Sequence, residues 1–280
     1  MIVTRFAPSP SGQLHLGHAY SAVLAHDRAR SGGGRFLLRI EDLDPGRSRP
    51  EFIAAIIADL RWLGIDWDGE PLVQSERAGA YAEALERLRA IGLVYACFCT
   101  RSDIAAALSA PHQQAAHYPG TCRGRADDRE RRANEPHSWR LDSKAALAQT
   151  GMPRWREDGA AFSSTSADFD DVILARKDAP AAYHLACVVD DCASGVSLVT
   201  RGVDLRASTP IQRLLQRLLD LPEPEYFHHP LVGHDDGRRL AKRDGSPALA
   251  IMRDRGADGR ALAEGLRAGQ LPLGFAFLED

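Results

Sequence analysis

Apolar and polar positions change period along the chain, and the changes mark out elements. Ile2-Val3-Thr4-Arg5-Phe6 alternates like a short strand, and Ala7-Pro8-Ser9-Pro10-Ser11-Gly12 breaks it with two prolines and a glycine. A helix is predicted from near His18, with apolar Val23, Leu24 and Ala25 followed by polar His26, Asp27 and Arg28, ending at Ser31-Gly32-Gly33-Gly34. Phe36-Leu37-Leu38-Arg39-Ile40 is a second run of strand length. Strand, helix, strand in this order favours a parallel sheet with right-handed crossovers.

Helices are predicted from Pro50 to Leu63 and from Arg77 to Ile91, where Tyr81, Leu85 and Leu88 recur at helical steps. From Cys97 to about Arg132 the periodicity fades into cysteines, histidines and charges, which predicts an inserted unit. Its arginines, Arg123, Arg125, Arg129, Arg131 and Arg132, alternate with acids and read as a solvated surface. Order returns at Asp170 to Arg176. Tyr183 to Asp191 reads as a buried, strand-like run closed by two carboxylates, and Ser197 to Gly202 as another strand with a turn. Thr209 as N-cap with Pro210 at the first helical position opens a helix to about Leu219. The fold class expected is α/β, a parallel sheet split by an insertion.

The 280 residues are 44% hydrophobic, enough for a sizeable core, and carry a net charge of only −3. No general basic field exists to hold nucleic acid, so such contacts would be local. No secretion signal and no run of about 18 apolar residues is visible, so a soluble, cytoplasmic protein without membrane contact is expected. Five cysteines, two of them in Cys97-Phe98-Cys99, do not form a disulfide pattern.

Four groups of residues suggest chemistry. His15-Leu16-Gly17-His18 lies between a strand loop and a helix start, where a glycine lets backbone approach phosphate and imidazoles donate to it. The basic segment Gly237 to Gly245 would bring positive charge to a leaving pyrophosphate. Arg5, Glu41, Tyr183 and Arg201 sit at the ends of predicted strands, and together suit an amino acid with an acidic side chain: a cation for its carboxylate, an anion or hydroxyl for its ammonium. Cys97, Cys99 and Cys122 are soft ligands for zinc, with Tyr118, His112 or His117 as the fourth. Cys187 and Cys192 read as packing residues.

Arg5 to His18 resembles the opening of the glutamyl class I aminoacyl-tRNA synthetases, with the HIGH signature at His15 to His18. Phe36 to Asp44 resembles the family's next strand, and Val199 to Leu205 its later arginine strand. The resemblance covers roughly residues 1 to 245, and about 35 residues follow where a discriminating synthetase continues into a helical anticodon-binding domain. A short form with a Cys-x-Cys, Tyr and Cys insert resembles the glutamyl-queuosine tRNA(Asp) synthetases.

The resemblance implies a Rossmann-like catalytic domain in two parts, 1–95 and 170–235, around a zinc-containing insertion at 96–169. A KMSKS-like loop and helical segment follow at 236–280, without an anticodon-binding domain. It implies that Arg5 and Ser9, with Glu41, Tyr183 and Arg201, hold L-glutamate, lined by Phe6, Ala7 and Pro8. His15, Gly17 and His18 would bind ATP with Mg2+. Lys242 would be the second lysine of the loop, here the degenerate Arg239-Leu240-Ala241-Lys242-Arg243, and would join His15 and His18 in catalysis. Cys97, Cys99, Tyr118 and Cys122 would hold one structural zinc. The activity implied is tRNA-independent formation of glutamyl-adenylate, then transfer to the queuosine base of tRNA(Asp) by a monomer. The alternatives are a short enzyme charging a tRNA terminus and a non-catalytic tRNA-binding paralogue.

Overall fold

The computed structural model describes residues 1–100, 102–104, 118–124, 129–240 and 248–278. Strand β1 (Val3–Phe6) leads through the proline loop into α1 (Leu16–Arg30), which returns to β2 (Arg35–Ile40). β2 pairs in parallel with β1, Val3 opposite Arg35 and Phe6 opposite Leu38. Helix α2 (Pro50–Trp62) follows, and β3 (Leu72–Val73) extends the sheet in parallel. Buried Ala19, Ala22, Val23 and Ala29 press α1 against Phe36, Leu38 and Ile40 of β2. Small residues on the inward side of α1 let helix and sheet approach closely.

After α3 (Ala78–Ala90), β4 (Val94–Cys97) starts a different sheet. Beyond α4 (Arg129–Asn134), β5 (Ser138–Leu141) pairs antiparallel with β4. Helix α5 (Ser143–Thr150) precedes the hairpin of β6 (Arg154–Glu157) and β7 (Ala160–Ser163). β8 (Ile173–Ala175) then completes the β4-β5-β8 sheet.

The run from Tyr183 to Asp191 departs from its strand-like reading: it is helix, α6 (Tyr183–Ala193). Leu185, Ala186, Cys187, Val188, Asp190 and Asp191 are all buried, so the helix is enclosed on nearly every side. β9 (Leu198–Gly202) follows, and Ser197 N–H bonds Val3 C=O at 3.0 Å, setting β9 beside β1. Helix α7 (Thr209–Leu218) is where the prolyl start predicts it, but Ser208 is the capping position and Pro210 is the second helical residue. The Thr209 hydroxyl accepts from Arg201 instead, at 2.8 Å.

β10 (Glu225–His229) pairs in parallel with both β9 and β6. β11 (Val232–His234) precedes α8 (Leu249–Asp254) and α9 (Gly259–Arg267), and β12 (Phe275–Phe277) folds back antiparallel onto β11. No helix among the described residues is long and apolar enough to cross a membrane.

Candidate active site

The carboxyl ends of β1 and β9 diverge beside the start of α1, the place where an α/β sheet leaves a ligand crevice. A cavity of about 500 Å³ opens there. Its walls include Arg5, Phe6, Ala7, Pro8, Ser9, His15, Gly17, His18, Glu41, Tyr183 and Arg201, so residues far apart in sequence and selected from it meet in one space. Lys242, His112 and His117 lie outside the described residues. Arg239 and Leu240, the start of the KMSKS-like segment, reach the cavity wall.

His15 caps α1, which begins at Leu16 rather than near His18. Its Nδ1 accepts from Gly17 N–H at 3.2 Å, and His18 Nδ1 accepts from His15 N–H at 3.1 Å. In each neutral ring the proton is therefore on Nε2, which makes that atom a donor. The two rings are 3.8 Å apart between centroids. A Cβ at position 17 would stand 3.2 Å from His15 Cε1, so the glycine makes room for the ring to fold back over the helix start. Two imidazole donors and a helix N-terminus facing one cavity suit an anionic phosphate chain.

The other side of the cavity is built on buried charge. Asp191 of α6 accepts from Arg5 Nε at 2.9 Å and also from Arg39, whose second nitrogen bonds Glu41 at 3.1 Å. Burial opposes ionisation of Asp191, but Arg39 and Arg5 outweigh it and hold this carboxyl well below the usual range. Burial dominates at Glu41 and pushes its carboxyl up, only partly offset by Arg39 and Arg5. An ammonium group docking on Glu41 would favour its charged form. Cys187 lies in the same network, its thiol pushed up to about 11 by burial and its sulfur 3.4 Å from an Arg39 nitrogen, so it meets charged groups and not the apolar neighbours expected of a packing residue.

Arg201 is 5% exposed, and its partners are neutral. Nε donates to His228 at 3.1 Å, the NH1 nitrogen to Gln212 at 2.7 Å and Tyr183 at 3.4 Å, and the NH2 nitrogen to Thr209. Burial and the neighbouring Arg201 lower His228 to about 4, keeping that ring neutral at physiological pH. Among the described residues Arg201 makes no ion pair, so a ligand carboxylate would find its charge uncompensated.

The cysteine cluster lies apart. Cys97, Cys99 and Cys122 bring their sulfurs within 4.8 Å of one another. Tyr118 Oη is 3.3 Å from Cys97 Sγ and 3.5 Å from Cys99 Sγ, and Cys99 Sγ is 3.6 Å from Cys122 Sγ. A tetrahedral zinc with bonds of about 2.3 Å to sulfur and about 2.0 Å to oxygen has S···S edges of about 3.8 Å and S···O edges of about 3.5 Å. The cluster fits that figure, with the phenol oxygen at the fourth corner and accepting from Cys122 N–H at 3.0 Å. Burial pushes the Cys99 thiol up to about 11 and the Tyr118 phenol above its ordinary value, so ligation means releasing protons against a bound cation.

Several residues of the cavity and its support escaped the sequence reading. Asp191 and Arg39 were visible only as members of runs, because their pairing depends on α6 packing against β1 and β2. Thr200, Ser21 and His229 also line the cavity, Ser21 Oγ being 2.7 Å from His229 Nε2. Asp204 comes close because position 202 is glycine, where a Cβ would sit 2.5 Å from its Oδ1. The only sequence signal for Asp204 was its place in the segment Val199 to Leu205.

A family model described as tRNA synthetases class I (E and Q), catalytic domain, matches residues 1–271. The chain belongs to that family and is an ATP-dependent ligase of the aminoacyl-tRNA synthetase class. Within it the chain groups with the glutamyl-Q tRNA(Asp) synthetases. It is 48% identical to the one from Rhodobacter capsulatus over 270 residues, 91% of this chain and 96% of that one. To the one from Nocardia farcinica it is 49% identical over 252 residues, 88% and 77% of the two chains. The fold matches a glutamate tRNA ligase from Elizabethkingia meningosepticum, solved with its amino acid, at a TM-score of 0.80 and 26% identity. That match covers 95% of this chain and spans 60% of the ligase.

Proposed function

We propose that the cavity activates L-glutamate with ATP as glutamyl-adenylate and that the glutamyl group then passes to the queuosine base of tRNA(Asp). The observation that carries this reading is the buried Arg201 with only neutral partners, opposite Glu41 and in the same cavity as His15 and His18. Arg201, with Arg5 and Tyr183, takes the side-chain carboxylate, Glu41 takes the ammonium, and the loop from Phe6 to Ser9 closes the site around the backbone of the substrate. His15 and His18 donate from Nε2 to phosphate oxygens, and Lys242 adds positive charge at the leaving group.

In the first step the α-carboxylate oxygen attacks the α-phosphorus of ATP. The bond to the β-phosphate oxygen breaks, pyrophosphate leaves, and a mixed anhydride remains. Mg2+ accompanies the nucleotide and offsets phosphate charge. In the second step a queuosine hydroxyl attacks the anhydride carbonyl, an ester forms and AMP departs. Cys97, Cys99, Tyr118 and Cys122 hold a structural zinc that orders the segment around them.

The test uses labelled pyrophosphate exchange with glutamate and ATP, then labelled glutamate with tRNA(Asp) with and without queuosine. Exchange without tRNA and label on the queuosine-containing tRNA alone are expected. Exchange that requires tRNA would overturn the first step as written, and label recovered on the 3′-terminal adenosine after nuclease digestion, not on the anticodon fragment, would move the second step to the tRNA end.

A further inference from the structure

Arg5 and Arg201 face the same cavity, yet the protein treats their charges differently. Arg5 is bound to a buried carboxylate, Asp191. Arg201 is held by a hydroxyl, a phenol, an imidazole and the carboxamide of Gln212. A carboxylate, Glu157, lies behind this cage, 3.1 Å from Nδ1 of His228, while the Nε2 of that ring accepts from Arg201.

Gln212 sits in the first turns of α7 and is 2% exposed. Its Oε1 accepts from Arg201 at 2.7 Å. Its Nε2 is buried and has no hydrogen-bond partner among the described residues. An unsatisfied buried amide N–H is costly. Glutamate, of the same size, would supply the same acceptor, remove that orphaned donor and form an ion pair. Packing and hydrogen bonding therefore both favour Glu at this position, and only the charge argues for Gln.

We infer that Gln212 is a specificity-determining positioning residue: it fixes the guanidinium of Arg201 through a neutral acceptor, so that the charge stays available for the carboxylate of an acidic substrate. The inference rests on the reading of the cavity as a glutamate site. It adds that the choice of an acid over its amide is set one layer behind the ligand, by what the protein withholds from Arg201.

The test is Gln212→Glu, followed by pyrophosphate exchange with glutamate and ATP varied separately, glutamine as competitor and thermal unfolding. The variant is expected to unfold at the wild-type temperature or above. Its KM for glutamate rises roughly 100-fold, as for the loss of a charge-assisted contact. The KM for ATP stays within about twofold, and the preference for glutamate over glutamine falls by about the same factor of 100. A second variant, Gln212→Met, removes the acceptor without adding charge and is expected to raise the glutamate KM only about fivefold.

A Gln212→Glu protein that keeps its glutamate KM, or one no worse than Gln212→Met, overturns the inference and leaves the proposed reaction standing. A wild-type protein that shows no glutamate-dependent exchange overturns the reaction, and the inference with it.

Discussion

The cavity draws its walls from β1, α1, α6, β9 and the β10–β11 turn, whereas the cysteine cluster takes Cys97, Cys99, Tyr118 and Cys122 from one short stretch of chain. Behind the cavity stand two large cores, one around α1 and β2 and one around α3, α6 and α7. Among the described residues, Tyr95 and Ile104 are the apolar side chains packed on the cluster. Packing fixes the first group of side chains before any ligand arrives. The second group has less apolar surface around it among the described residues, and under the zinc proposal its rigidity comes from what its sulfurs bind.

Arg201→Met should have the largest effect. The neutral cage leaves no buried carboxylate stranded when the cation is removed, so folding should survive while kcat/KM for glutamate in exchange falls by roughly 10²- to 10³-fold. Unfolding well below the wild-type temperature would mean that Arg201 is chiefly structural.

Asp190→Asn probes the second core without touching the cavity. Asp190 is fully buried and accepts from Gln74, Arg77 and Tyr81, so the variant should lose about 3 kcal/mol of stability in denaturant melts. The glutamate KM should not move. If it does, the two neighbouring carboxylates of α6 do not have separate duties.

Acid should unfold the cavity side through His228. Its folded value, about 4, is below the ordinary value of 6.5, so the unfolded chain binds the extra proton first. The stability gained from keeping the ring neutral is complete above pH 6.5 and is lost as pH falls towards 4, by at most about 3 kcal/mol. His228→Gln should flatten that part of the stability profile; an unchanged slope would assign the acid sensitivity to other groups.

Cys97→Ser should have the smallest effect on the stability of the catalytic cores and leave the cavity working. Metal measured by elemental analysis should be lost, while exchange without tRNA stays within about threefold of wild type. A collapse of exchange would show that the two regions fold as one.

What the sequence reveals follows the same division. Strands β1, β2 and β9 and helices α1 to α3 were legible because each has one buried side or a clear breaker, such as the glycines after Ser31. Helix α6 was not, since Leu185 to Val189 form an unbroken apolar run of strand length. Strand β5 was hidden for another reason: Arg140 points inward, stacking 3.8 Å from the Tyr118 ring centroid and bonding Asp171 C=O, so a charge occupies a core position. The cavity's lining was legible through local motifs. Its support, Asp191, Arg39 and Gln212, was not, because charge pairing and neutral caging arise only once α6 and α7 pack against the sheet.

The mutual capping of His15 and His18 links two jobs that evolution usually tunes separately. The Nδ1 atoms that brace the start of α1 belong to the same two histidines that line the cavity. Replacing either ring alters the helix start and the donor array together, so single and double replacements should be strongly epistatic. A lineage that exchanged one histidine would need a compensating cap at the other position before selection could act on phosphate contact alone.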